Sequence, residues 1–131
     1  DKRYLKQAMN IFNFLLSLKN MPEDGIFYWD MKDPKIPNVP RDASAAAIAA
    51  SALYELCRYV NSSDSANYKQ YADKIVNGLI DNYQAKVGTA EGFLLLHSTG
   101  NLPSNSEIDV PLNYADYYYL EAMSRKMSLE Q

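Results

Sequence analysis

The segment from Arg41 to Val60 reads RDASAAAIAASALYELCRYV, and it restricts the fold more than any other part of the chain. Of the twelve residues after Asp42, nine are Ala, Ile or Leu, and most of those are Ala. Alanine is the strongest intrinsic helix former. A helix whose sides carry mainly methyl groups has no polar face to turn to water, so it belongs in an interior. Small side chains there let neighbouring backbones approach closely, as a closed ring of inner helices requires. The spacing predicts this helix over residues 43–60, with Asp42 or Ser44 as its N-cap.

Three further helices are predicted. The first covers residues 2–19, where Leu5, Ala8, Met9, Phe12, Leu15 and Leu16 recur at helical spacing opposite a polar side. Another covers residues 65–84 with Asp64 as cap, its stripe running from Tyr68 through Ile75 and Leu79 to Tyr83. The last covers residues 111–127 and opens on Pro111, a favoured first-turn residue. The first and third are amphipathic, with one buried face. The second and fourth are apolar around most of their girth. The order is therefore outer, inner, outer, inner, in an all-α fold.

Two long loops lead into the inner helices: MPEDGIFYWDMKDPKIPNVPRD and AKVGTAEGFLLLHSTGNLPSNSEIDV. Loops of this length inside a compact domain are usually functional. Both are expected at the same end, over helix N-termini whose free N–H groups favour anions. Within the second loop, GFLLLHS reads as a short buried strand.

Composition excludes some partners. Net charge is −3, with acids and bases interspersed, so no basic patch is present to neutralise a phosphate backbone and nucleic acid is not an expected partner. No apolar run approaches the ~20 residues that a membrane span requires. Cys57 is the sole cysteine, which rules out an internal disulfide and fits a small core side chain. Asn61-Ser62-Ser63 matches a glycosylation sequon but reads as a turn between helices. The chain opens on Asp1, already inside a helical pattern and with no signal peptide visible, which leaves open a leader lost upstream.

The stretches FYWDMKDPKIPNVPRDASAAAIAASALYEL and GFLLLHSTGNLPSNSEIDVPLNYADYYYLEA, together with the helical order, resemble the C-terminal portion of glycoside hydrolase family 88, the unsaturated glucuronyl hydrolases. The resemblance implies part of an (α/α)6 barrel, with the alanine helix as an inner stave. It implies an enzyme that removes an unsaturated 4,5-uronic acid from lyase-generated glycosaminoglycan oligosaccharides by hydrating the vinyl ether. No metal or organic cofactor is implied. The family's two catalytic aspartates match nothing here, so they are expected in a missing N-terminal part of the same barrel, and the chain alone is expected to be inactive. Cytoplasm and bacterial periplasm both stay open. Two alternatives stand beside this reading: an unsaturated rhamnogalacturonyl hydrolase or other carbohydrate-active α/α barrel, and a helical protein-binding scaffold. The tetratricopeptide signature is absent.

Seven residues are candidates for substrate contact, each with a structural role beside it. His97, the only histidine, either bonds a sugar or its carboxylate, or is satisfied by backbone. Tyr28 and Trp29 either stack on a sugar ring or pin their loop to the barrel rim. Arg41 can hold a carboxylate bidentately or form a salt bridge within its loop. Ser44 can cap its helix or touch ligand. Tyr114 and Asp116 either face the cleft or join a structural network, since a buried unpaired charge is costly. Asp30 and Asp33 have the look of a glycosidase carboxyl pair, but also of Asx turns in a proline-rich loop. Glu107 and Asp109 favour the N-terminus of the last helix electrostatically.

Overall fold

The computed structural model describes residues 1–131 and is built on four helices: α1 (Lys2–Ser17), α2 (Ala43–Leu56), α3 (Ser62–Asn82) and α4 (Asn113–Leu129). A two-stranded antiparallel ribbon, β1 (Phe27–Tyr28) with β2 (Arg41–Asp42), precedes α2. The second long loop carries two short 3₁₀ turns, Ala90–Gly92 and Leu102–Ser104.

The core lies along α2, which packs on α3 and α4. Ala43, Ala46, Ala47 and Ala50 are fully buried, as are Ala115 and Ala122 of α4 and Ala72 of α3. Side chains four apart share a helix face. Ala47 lies one turn before Ser51, whose hydroxyl donates to Glu121 of α4 at 2.5 Å. Ala50 lies one turn before Tyr54, whose hydroxyl donates to Asp73 of α3 at 2.7 Å. Methyl groups thus fill both seams, and the polar bonds close them at the C-terminal end of α2. Arg125 of α4 seals the first seam by donating to the Ser51 carbonyl and hydroxyl at 2.9 and 2.8 Å.

The helix ends differ from the sequence expectation. α2 stops at Leu56, not Val60, because Arg58 and Tyr59 bond back only three residues, to Glu55 and Leu56. That tight turn lets Asn61 accept from the Asp64 N–H at 3.0 Å and cap α3, which therefore starts at Ser62 and not Ser65. The sequon asparagine is a helix cap. α1 ends at Ser17, α3 at Asn82, and α4 is shifted to Asn113–Leu129. Cys57 is buried, its thiol directed at the Leu53 and Ser65 carbonyls, and burial raises its pKa.

The two apolar helices are not enclosed on every side. Ile48 and Ala52 of α2 are exposed, as are Tyr117, Leu120 and Met127 of α4. The reason is geometric. α2 has neighbours on two sides, and its third side faces α1 across an open apolar groove lined by Leu5, Ala8, Phe12, Ile48, Ala52 and Tyr59, among others. α4 packs mainly on α2. α1 itself is held through one buried residue, Phe12, whose ring meets Tyr68 and Tyr71 of α3 edge-on at 4.8 and 5.4 Å.

GFLLLHS does not form a strand. Its Leu96 N–H donates to Tyr83 and its Leu94 carbonyl accepts from Ala85, a single bridge to the end of α3. Other donors of the segment go to a carboxylate of α4, described below. The first loop comes equally close to α3: a Cβ at Gly78 would collide with the Asp24 carbonyl, so this contact requires glycine.

One polar network crosses three helices. Asp73 of α3 accepts from Tyr54 of α2 at 2.7 Å, from Lys69 at 2.8 Å, and pairs with Lys126 of α4 at 3.0 Å. Burial opposes ionisation of Asp73, but the bonds from Lys69, Tyr54 and Lys126 outweigh it and lower its pKa from 3.8 to about 2. Burial and the Asp73 bond raise the pKa of Tyr54, which stays the donor.

Two outcomes follow for stability. Ala47→Leu forces a larger side chain into a closed seam and lowers stability by about 1–3 kcal/mol, readable as the shift in denaturant midpoint. An unchanged midpoint would show that the α2 seam has spare room. The Asp73 carboxyl titrates lower folded than unfolded, so its contribution, roughly 2 kcal/mol, is complete above pH about 4 and is lost as pH falls towards about 2. Asp73→Asn removes that contribution and flattens the acid limb of the stability profile between those values. A variant with the same acid limb as the parent would contradict the assignment.

Candidate functional site

The two long loops meet at the head of α2, and Asp42 joins them. Its Oδ1 accepts from the Ser44 N–H at 3.0 Å, the Ser44 hydroxyl at 2.6 Å and the Thr99 N–H at 3.3 Å. The Thr99 hydroxyl donates to the Arg41 carbonyl at 2.9 Å, and the Ala43 N–H donates to the His97 carbonyl at 3.1 Å. The first orphan donors of α2 are therefore taken by a carboxylate and a carbonyl. The anion site expected at this helix N-terminus is filled by the protein itself. Of the two cap candidates Asp42 is the N-cap, and Ser44 is buried with its hydroxyl donating to it.

Arg41 is also committed. It donates to Asp24 at 2.6 Å and to the Ile26 carbonyl at 2.8 Å, and its guanidinium stacks 4.7 Å from the centre of the Tyr28 ring. The Tyr83 hydroxyl donates to the same Asp24 carboxylate at 3.3 Å. This cluster ties the first loop to the end of α3. Asp116 has the partner that its place in an apolar helix demanded: its two oxygens accept from the Leu94 and Leu95 N–H groups, each at 2.9 Å. That clamp holds GFLLLHS against α4. Arg41 and Asp116 thus each have partners within the chain.

Asp30 and Asp33 each accept from a backbone N–H two residues on, Lys32 at 2.8 Å and Lys35 at 2.9 Å. These are Asx turns. Asp33 also receives the Trp29 indole N–H at 3.0 Å. Tyr28 and Trp29 are half-buried and line the groove between α1 and α2. His97 is not part of that lining, so the aromatic pair and the histidine are not brought into one pocket by these residues.

What remains open lies on the second loop, over the heads of α2 and α4. The His97 side chain is 46% exposed, and its Nδ1 lies 2.7 Å from Oδ1 of Asp109. Its ring packs edge-on to Tyr83 at 5.9 Å between centres. Tyr114 is exposed at the first turn of α4. A Cβ built on Gly100 would run into the Glu107 carboxylate and come within 3.1 Å of the Tyr114 hydroxyl, so these three residues converge. The sequence signalled neither the His97–Asp109 pair nor the Glu107–Gly100–Tyr114 approach. Both depend on a hairpin-like return of the loop, in which Ser98 exchanges both backbone bonds with Val110 and the Gly100 N–H donates to Glu107. Nothing in the spacing alone announces that return.

Chemically, this rim can offer hydrogen bonds to hydroxyl groups from an imidazole and a phenol. Asp24, Asp33, Asp42, Asp73 and Asp116 are each tied to a structural partner.

No family model matches the chain. It is 47% identical over 130 residues to an unsaturated glucuronyl hydrolase of Formosa agariphila, covering 98% of this chain and 32% of that protein. A solved unsaturated glucuronyl hydrolase specific for heparin is 45% identical and superposes with a TM-score of 0.95, covering 99% of this chain and 35% of that one. An aspartate-to-asparagine variant of the Streptococcus agalactiae enzyme, solved in complex with dGlcA-GalNAc6S, is 32% identical with a TM-score of 0.78, covering 95% of this chain and 34% of that one. The chain spans about a third of the length of the relatives it matches. In sequence and in backbone course the chain matches about a third of the unsaturated glucuronyl hydrolases, and its four helices correspond to a part of the α/α barrel of those structures.

Proposed function

We propose that this chain is the C-terminal portion of an α/α-barrel glycoside hydrolase that removes the unsaturated 4,5-uronic acid from lyase-generated glycosaminoglycan oligosaccharides. The observation that carries the reading is the superposition of nearly the whole chain on the heparin-specific enzyme at a TM-score of 0.95. The open sides of α2 and α4 support it, because they are where staves from the rest of a barrel would insert.

The reaction is a hydration. A proton is added at C4 of the terminal sugar and the hydroxyl of water at C5, which consumes the double bond. The hemiketal so formed opens, its bond to the next sugar breaks, and that sugar leaves with a hydroxyl group. The proton donor must be an acid that is free to give up its proton at the cleft. The buried and half-buried aspartates of this chain are engaged in caps, clamps and ion pairs, which agrees with a donor carried by the remaining two thirds of the barrel. The contribution of these 131 residues is two inner staves, the loops that rim one end, and sugar contacts from His97, Tyr114, Tyr28 and Trp29.

The test uses the full-length protein that contains these residues, with lyase-treated chondroitin, hyaluronan and heparin as substrates. The expected result is loss of the double-bond absorbance with release of the second sugar, and no such loss with residues 1–131 alone. Turnover by the isolated chain would overturn the placement of the acid. With lyase-treated rhamnogalacturonan as a fourth substrate, turnover confined to it would replace the substrate class.

A further inference from the structure

Resting on that functional reading, the geometry points to Asp109 as a positioning residue that fixes His97 for contact with a sugar hydroxyl. The observation is a pair in which almost every degree of freedom of the imidazole is already taken. The His97 carbonyl is bonded to the Ala43 N–H at the head of α2, at 3.1 Å. One edge of the ring rests on Tyr83. Nδ1 lies 2.7 Å from the Asp109 carboxylate. Asp109 is held in turn, since its N–H donates to the Thr99 hydroxyl at 3.4 Å, and that hydroxyl donates to the first loop. The remaining nitrogen, Nε2, has no hydrogen-bond partner in the chain.

Two features argue against a merely stabilising pair. The side chains are 46% and 60% exposed, and ion pairs so open to water contribute little to folding. Both backbones are nevertheless held in the left-handed region, at φ 63° for His97 and 55° for Asp109, which is unfavourable for residues bearing a Cβ. Such conformations cluster where a site requires a particular side-chain direction.

The tautomer follows from the partner. A carboxylate only accepts, so in the neutral imidazole the single proton sits on Nδ1 and Nε2 keeps its lone pair. Nε2 then accepts from a hydroxyl group. It does not suit a carboxylate, which is also repelled by the charge of Asp109 beside it. The pair therefore reads a neutral hydroxyl of the bound oligosaccharide, and the uronate carboxylate is held elsewhere.

The experiment measures KM and kcat of the full-length enzyme on the unsaturated chondroitin disaccharide for Asp109→Gly, His97→Asn and the double variant. Glycine removes the carboxylate and relaxes the left-handed backbone, and asparagine tolerates that backbone, so folding is preserved in both. Each single variant is expected to raise KM about three- to tenfold with kcat little changed and a melting temperature within about 2 °C of the parent. The double variant is expected to be no worse than His97→Asn alone, because Asp109 acts through His97. Multiplying KM effects in the double variant, or a lowered melting temperature with KM unchanged, overturns the positioning role while the parent's turnover keeps the functional reading intact. An inert parent enzyme overturns both.

Discussion

The close approach of α2 to its two neighbours is the constraint on which the rest of the structure depends. Four fully buried alanines on α2 present surfaces one methyl deep, and α3 and α4 answer with alanines of their own. Little apolar area is buried per residue in such a seam, so it is stable only if the backbones come very near and stay in register. The register is set at the far end by Ser51 with Glu121 and Arg125, and by Tyr54 with Asp73. Once the helices are fixed side by side, the heads of α2 and α4 are fixed too, and the two long loops have one place to meet.

That meeting place is organised by hydrogen bonds more than by packing. Asp42 caps α2 and receives the second loop through Thr99. Asp116 grips two consecutive N–H groups of the same loop from α4. Arg41 draws the first loop onto Asp24, and a glycine at position 78 allows that loop to lie on α3. Charge-assisted bonds of this kind are the stronger ones, and each also satisfies a group that would otherwise be buried without a partner. The loops are thus parts of the scaffold up to their rims. His97, Asp109, Glu107 and Tyr114 are among the residues left facing outwards near the heads of the helices.

Several residue types that suggest chemistry in a sequence are engaged by partners within the chain for the same reason. Asp30 and Asp33 have the look of a glycosidase carboxyl pair, yet each turns its own backbone. Arg41 has the charge to hold a uronate, yet Asp24 lies within 2.6 Å. A charged side chain near the protein interior needs a partner, and the nearest segment of the same chain usually supplies it before any ligand can. The apolar stripes on α2 and α4 show the opposite case: Ile48 and Ala52 on one, and Tyr117, Leu120 and Met127 on the other, are left exposed.

The sequence by itself determined the four helices, their alternation and the family, because helix periodicity, alanine content and long ordered stretches of similarity are local or linear properties. It also determined that Asp116 must have a partner, and that Asp42 or Ser44 would cap α2. It did not decide which donors Asp116 would take, that GFLLLHS would be gripped by a carboxylate instead of a strand, or that α2 would end at Leu56. Those follow from where α3 and α4 stand. Nor did it decide that Asp109 would return to His97, twelve positions away along the chain. That contact needs a loop folded back by bonds between Ser98 and Val110, and only the packed helices beneath it hold those two residues at the right separation.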